Sequence, residues 1–400
     1  MSSRTESIQS MAENYLMANY GQRTIALVRG QGVNVWDSDG RQYIDLLSGL
    51  GVNNLGHCHP KVVQAIQRQA ETLLHVSNLY LIEPQAQLAK MLVENSPADK
   101  VFFCNSGAEA VEAALKMARR YSYDRYGGGR HKVIAMNNSF HGRTMGALSA
   151  TGQKKYHKGF EPMLDGFIHT PINDLEALKN AVDDSVCAVL LEPVQGEGGI
   201  HPCENSFLQG VRQICDQRNL LLIFDEIQCG LGRAGHLFAS EEAGVEPDGI
   251  TLAKSLAGGA AIGALLAKNE PASALVAGTH AATFGGNPLS CAAGEAALHV
   301  ILDEKLPQRS KEIGALFMGR LEDLHKKYPQ HINEVRGRGL MIGVDLAFPA
   351  ADVIAFLREK GYIAGPAGPN VLRFLPPLII EENILDAVVE LLDGFFAGRN

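Results

Sequence analysis

From about residue 100 onward, short apolar runs alternate with stretches that carry apolar residues at helical spacing. The runs fall at 101–104, 132–136, 186–191, 220–224, 249–253 and 262–267, with helical patterns such as 108–121 and 207–218 between them. This alternation predicts crossover units and a mostly parallel or mixed sheet. The run Leu220-Leu221-Leu222-Ile223-Phe224 has no polar break, the mark of a strand buried on both faces. It ends on two carboxylates, Asp225 and Glu226, at the strand end where open α/β sheets bind ligands. A second run, 250–253, delivers Lys254, which is followed by Ser255 and then Ala257-Gly258-Gly259-Ala260-Ala261.

The flanks read differently. Ile8, Met11, Ala12, Tyr15 and Leu16 predict an amphipathic helix over residues 1–20. Short strands follow at 24–29, 33–36 and 42–46, the last two joined by the turn Asp37-Ser38-Asp39-Gly40. Pro60 opens a helix with Val62, Val63, Ile66, Ala70, Leu73 and Leu74 on one face, and another helix follows Pro84. An alanine-rich helix runs from Asn287-Pro288 to about residue 302. Beyond it come helices at 311–327, 351–360 and 381–396, a glycine-rich strand pair over 335–346 and a strand at 371–374. Residues 1–55 and 290–400 are expected to form one composite small α+β domain around a large domain of residues 56–289.

Composition narrows the function. The formal charge of −8 disfavours a nucleic-acid binder, which needs a basic face. The most apolar stretch, 256–267, is too short and glycine-broken to span a bilayer. The seven cysteines are odd in number and form no Cys-x-x-Cys, so reduced thiols are expected. The N-terminus lacks a secretory pattern, and a cytoplasmic location is expected. His57-Cys58-His59 is not read as a metal site: adjacent ligands point apart and no second cluster has ligand spacing.

Several residues then carry candidate chemistry. Ser106, Gly107 and Ala108 sit between a strand and a helix, where free amides bind phosphate; a plain Ser N-cap with Glu109 in a capping box is the alternative. Asp225 must meet a cation, either a protonated pyridine nitrogen or a structural Arg or Lys. A desolvated Lys254 becomes a nucleophile toward an aldehyde, unless it lies at the surface. Phe140 can stack on a planar cofactor. Arg143 and Arg373 can each hold a carboxylate or a structural acid. Glu197 sits in Gln195-Gly196-Glu197-Gly198-Gly199, a loop expected to be flexible enough to move. Thr283-Phe284-Gly285-Gly286-Asn287-Pro288 is a compact turn with a hydroxyl and free amides. Gly230-Leu231-Gly232-Arg233-Ala234-Gly235 fits G-x-G-x-x-G but does not directly follow a strand, so a dinucleotide site is not expected.

Assembled, these segments resemble the class III aminotransferases of the ornithine/acetylornithine type. The carriers are Asn105-Ser106-Gly107-Ala108-Glu109-Ala110, Phe140-His141-Gly142-Arg143-Thr144, Glu192-Pro193-Val194-Gln195-Gly196-Glu197-Gly198-Gly199, Asp225-Glu226-Ile227-Gln228-Cys229-Gly230 with Gly232-Arg233, Leu252-Ala253-Lys254 and the turn at Thr283. The resemblance spans nearly the whole chain. It implies the aspartate-aminotransferase fold, that is, fold type I of the pyridoxal-phosphate enzymes. The implied cofactor is pyridoxal 5'-phosphate. Lys254 would bond to its aldehyde carbon and later shuttle a proton, Asp225 would pair with the ring nitrogen, and Gln228 would contact the ring hydroxyl. Phe140 would stack on the ring, with Glu226 and Ile227 completing its surroundings. Ser106, Gly107 and Ala108 would hold the phosphate, with Thr283 reaching it from a second subunit of a homodimer. Arg143 would bind the α-carboxylate of an acetylated diamino acid. Glu197 would mask Arg373 until glutamate binds. Ala282 stands where relatives often have Ser, so only its backbone could touch substrate. The implied reaction moves the δ-amino group of N-acetylornithine to 2-oxoglutarate, in arginine biosynthesis. Ornithine, succinylornithine, succinyldiaminopimelate and 4-aminobutyrate are alternative donors. An aminomutase is a further alternative. A catalytically silent binding protein is disfavoured by the presence of Lys254, Asp225 and both arginines.

Overall fold

The structure is a computed structural model that describes residues 4–21 and 23–399. Its centre is a seven-stranded sheet of β1 (Lys100–Cys104), β2 (Lys132–Met136), β3 (Phe167–Thr170), β4 (Val186–Leu191), β5 (Leu221–Asp225), β6 (Gly249–Leu252) and β7 (Gly263–Ala267). The order is β1-β7-β6-β5-β4-β2-β3, with β7 antiparallel to both neighbours and the other pairings parallel. The apolar runs predict six of these strands. The edge strand β3, Phe-Ile-His-Thr, escapes that reading because it is short and half polar.

Side-chain alternation explains why β4 and β5 read as unbroken apolar runs. Leu222 and Phe224 join a core with Phe207, Val211 and Ile214 of the helix Asn205–Arg218. Leu221 and Ile223 join a second core with Val111, Leu115 and Met117 of the helix Gly107–Tyr126. Successive residues point to opposite faces, and here both faces are covered. Each such buried side chain contributes roughly 1.5–3 kcal/mol.

Two further four-stranded sheets lie outside this layer. The N-terminal strands Leu27–Gln31, Asn34–Asp37 and Gln42–Asp45 are antiparallel, and Tyr362–Ile363 adds a parallel strand to the last. This pairing joins the first 55 residues to the C-terminal segment. The other sheet holds β8 (Ile332–Arg338), β9 (Met341–Leu346), β10 (Gly365–Pro366) and β11 (Val371–Phe374) in the order β8-β9-β11-β10. The alanine-rich helix Pro288–Asp303 crosses the boundary expected at residue 290 and packs on the helices Pro60–Thr72 and Glu83–Glu94. The first helix spans Arg4–Tyr15 and buries none of its residues, and residues 1–3 of its expected range lie outside the described residues. Among the described residues no helix is long and apolar enough to cross a membrane.

Candidate active site

The parallel strands point their carboxyl ends at one cavity of about 350 Å³. Asn105 and Ser106 follow β1, Phe140 follows β2, Glu192 follows β4, Asp225 ends β5, and Lys254 lies two residues beyond β6; all of them line the cavity. Strand geometry thus gathers residues that are far apart in sequence, as it does in open α/β sheets.

Asp225 occupies the floor, 3% exposed. Its Oδ1 accepts from the Ile227 amide at 3.1 Å and from the Thr251 hydroxyl at 3.2 Å. Its Oδ2 lies 2.7 Å from Nδ1 of His141, which is itself fully buried. Among the described residues the side chain paired with Asp225 is a histidine, not the structural Arg or Lys expected as the alternative to a ring nitrogen. Burial works against a charge on His141, but its hydrogen bond to Asp225 and the nearby acids outweigh burial and raise its pKa. Residue order alone gave His141 no role. No local pattern singles it out, since His141 and Asp225 follow different strands and lie 84 positions apart in sequence.

Glu192 is a second residue that the sequence reading left without a role. One oxygen accepts from the Phe140 amide at 3.1 Å and the other from the Gly196 amide at 3.4 Å. Burial raises its pKa to about 7, opposed by His141 and reinforced by Asp225.

Glu226 departs from expectation. It does not line the cavity; its oxygens accept from the Ala239 amide at 2.6 Å and the Ser240 amide at 3.0 Å. Its amide continues the ladder to Thr251 O, so the chain is still extended there and neighbouring side chains diverge. Asp225 and Glu226 consequently serve opposite faces, while Ile227 and Gln228 return to the cavity wall.

Lys254 is half-buried, with burial lowering the pKa of its ammonium. Its backbone has φ +42°, a left-handed conformation that a lysine rarely adopts and that marks a strained position. Ser106 caps the helix Gly107–Tyr126 by accepting from the Glu109 amide at 3.3 Å. Glu109 does not complete a capping box: it reaches past Ser106 to the Asn105 amide at 2.6 Å. The amides at Gly107 and Ala108 stay at the cavity edge. A Cβ on Gly107 would stand 2.9 Å from the end of the Ile227 side chain, which would have to shift to admit it.

Glu197 also lines the cavity, and its Oε1 lies 2.5 Å from the guanidinium of Arg373 on β11. Gln228 Nε2 donates to the same oxygen at 3.3 Å. Burial pushes the Glu197 carboxyl up, but Arg373 pulls it further down, so it carries its charge at neutral pH. Its loop is not loose, against expectation. Gln195 Nε2 donates to Asn137 O at 2.9 Å, Glu192 holds the Gly196 amide, and Arg336 Nε donates to Gly199 O at 2.9 Å. A Cβ on Gly198 would stand 2.5 Å from Asn138 O. The glycines of this loop are there for close packing, and the freedom left to Glu197 is that of its side chain.

Arg143 is exposed, its guanidinium 3.9 Å from the Tyr156 ring centroid and 5.2 Å from that of Phe140. Among the described residues it makes no ion pair. Ala282 and Thr283 do not reach this cavity within one chain; they line another with Ser77, Asn78 and Gln85.

The chemistry of the cavity fits pyridoxal phosphate. Among the described residues Gln228 Oε1 is buried with no hydrogen-bond partner, an acceptor suited to a hydroxyl. Helix amides stand at one end, an anion's place. A buried acid with a raised-pKa histidine behind it stands at the other, fit for a ring nitrogen.

Residues 15–395 match the family model described as "Aminotransferase class-III". The acetylornithine aminotransferase of Methanocaldococcus jannaschii is 51% identical over 96% of this chain and 97% of its own length. Among solved structures, the ornithine aminotransferase from Toxoplasma gondii superposes with a TM-score of 0.95 at 36% identity, over 98% of this chain and 95% of that one. The acetylornithine aminotransferase from Elizabethkingia anophelis gives a TM-score of 0.88 at 34% identity, over 98% of this chain and 99% of that one.

Proposed function

The chain belongs to the class-III aminotransferases, enzymes that work with pyridoxal phosphate, and from that premise we propose that it moves the δ-amino group of N2-acetyl-L-ornithine to 2-oxoglutarate. The products are N-acetyl-L-glutamate 5-semialdehyde and L-glutamate, the reaction of arginine biosynthesis. The 51% identity to an acetylornithine enzyme supports this donor. The fold alone does not choose it, since the ornithine enzyme superposes as well.

The observation that carries the reading is the pairing of Glu197, which lines the cavity, with the buried guanidinium of Arg373. One site must accept two amino donors of different shape. With the acetylated diamino acid bound, Glu197 neutralises Arg373, so the wall offers no free charge near the reacting amine. When glutamate binds, the Glu197 side chain swings aside on its fixed backbone, and Arg373 takes the α-carboxylate in a forked contact. Arg143, a guanidinium without an acid, takes the remote carboxylate of either donor.

Pyridoxal phosphate, when bound, supplies an aldehyde carbon and an electron-withdrawing ring. Lys254, its ammonium disfavoured by burial, would bond that carbon through Nζ and later carry a proton. Asp225, backed by His141, would face the ring nitrogen. Phe140, its amide fixed by Glu192, would stack on the ring. Ser106, Gly107 and Ala108 would hold the phosphate.

A second copy of the chain completes the site in this proposal. Thr283 sits on an exposed patch with Leu79, Tyr80, Leu81 and Phe284, whose exposures run from 60% to 103%. Asn78 ties the two segments together through Ala282 O at 3.0 Å and Gly285 O at 2.9 Å. An apolar patch of this kind supports a homodimer that brings Thr283 to the partner's phosphate. The division into a large domain of residues 56–289 and a composite small domain, and a cytoplasmic location, are part of the same proposal.

Glu197→Ala tests the switch. Half-reaction efficiency should shift toward glutamate relative to N-acetylornithine by roughly tenfold or more, the scale of one charged hydrogen bond. An unchanged ratio overturns it.

A further inference from the structure

One row of the β8–β11 sheet alternates arginine and glycine. Arg336 on β8 pairs with Gly343 on β9, Gly343 with Arg373 on β11, and Arg373 with Gly365 on β10. Residues directly opposite across strands point to the same face. Arg373 therefore shares its face with Arg336, and a glycine stands between them.

The loop carrying Glu197 lies on that face at three successive points. Arg373 meets the Glu197 carboxylate at 2.5 Å. Gly343 leaves room for Ile200: a Cβ there would stand 2.9 Å from the Ile200 Cβ. Arg336 Nε donates to Gly199 O at 2.9 Å and to Ile200 O at 3.0 Å. Arg336 is buried and is itself aimed by Glu334 at 2.5 Å and Asp345 at 3.1 Å. Ile200 has φ +55°, a left-handed conformation that a β-branched residue resists. Such a conformation persists only where surrounding contacts over-determine it. The Arg336 guanidinium supplies two of those contacts.

We propose that Arg336 is a positioning residue for substrate choice, holding Gly199 and Ile200 so that Glu197 stays in register with Arg373. This inference rests on the proposed Glu197–Arg373 switch and adds the device that sets its balance. Without the Arg336 Nε–H, which both carbonyls share, Gly199 and Ile200 lose their anchor and Ile200 relaxes. Glu197 then masks Arg373 less well. Glutamate gains, and the acetylated donor, which needs the charge hidden, loses.

The test is a double-mutant cycle on the holoenzyme, read as the ratio of kcat/KM for glutamate to that for N-acetylornithine. Arg336→Gln should raise the ratio roughly fivefold to tenfold, mainly through KM. Arg336→Lys, which keeps the charge but not the planar, fixed donor geometry, should recover part of the shift. In the Glu197→Ala background Arg336→Gln should move the ratio by less than twofold, because coupled residues are not additive. Should Arg336→Gln fold poorly, Gly343→Ala presses on Ile200 from the same face and should shift the ratio in the same direction. A shift under Glu197→Ala with none under Arg336→Gln or Gly343→Ala overturns this inference and leaves the switch standing. No shift under Glu197→Ala overturns the switch itself. Equal effects of Arg336→Gln with and without Glu197 make Arg336 merely structural and also overturn the inference.

Discussion

The site contains two acid–cation pairs in opposite settings. Asp225 and His141 lie on the floor, both held by segments at the strand ends of the central sheet, with side chains 3% and 0% exposed. Glu197 and Arg373 lie on the wall, one on a loop after β4 and the other on β11 of the smaller sheet, with side chains 25% and 2% exposed. The floor pair is sealed, so parting it would leave a buried charge uncompensated, at a cost of about 3–5 kcal/mol. The wall pair has one member open to the cavity, and that carboxylate can be solvated when it lets go. The proposed switch divides the labour along this difference: on it, the floor keeps one electrostatic state through the cycle and the wall changes state with the substrate.

Breaking the floor should have the larger effect. Asp225→Asn keeps the shape but removes the carboxylate that raises the pKa of His141 against its burial. Transamination should fall on the order of 10³-fold in kcat, with smaller changes in KM for either donor. Steady-state rates of the holoenzyme would measure it, and a KM effect with kcat intact would mean that the floor only binds.

Arg143 sharpens the comparison from the side, as a cation with no acid partner among the described residues. Arg143→Ala should raise KM for N-acetylornithine and for 2-oxoglutarate by roughly tenfold while costing little stability. A large fall in melting temperature with unchanged KM would make it a structural residue stacked on Tyr156.

The smallest effect concerns Glu226, the carboxylate next to Asp225 that serves neither pair. Burial raises its pKa from 4.5 to about 7. An acid with a raised folded pKa favours the fold when protonated. That stability is fully present below pH 4.5 and is lost as pH rises through about 7. The loss is on the order of 3 kcal/mol. Melting curves at pH 5.5 and 8.5 should therefore differ less in Glu226→Gln than in the unaltered chain, with activity nearly unchanged. An equal pH dependence in both would place the titration elsewhere, Glu192 being the other acid raised to about 7.

The sequence made the floor legible more readily than the wall's mechanics. An unbroken run from Leu220 to Phe224 can only be a doubly covered strand, and such a strand fixes where Asp225 stands. Lys254 follows from the next run by the same logic. The partner of Asp225 was not legible, because His141 comes from another strand and long-range pairing leaves no local pattern. The direction of Glu226 needed only strand alternation, but two adjacent acids in one motif read as one feature. The Glu197 loop misled for a physical reason. Glycines signal freedom in a chain seen alone, whereas Gly196 and Gly198 are there because Gln228 and Asn138 lie too close for any Cβ. The edge strand β3 and the Arg336–Gly343–Arg373 row likewise exist only once strands are in register.

The most direct test of the account is a donor series at fixed 2-oxoglutarate. N-acetylornithine, succinylornithine, ornithine, succinyldiaminopimelate and 4-aminobutyrate would be compared by kcat/KM on the holoenzyme. Glu197 masking Arg373, with Arg143 free to take the remote α-carboxylate, predicts the highest value for N-acetylornithine. A wide margin in favour of free ornithine would contradict the account.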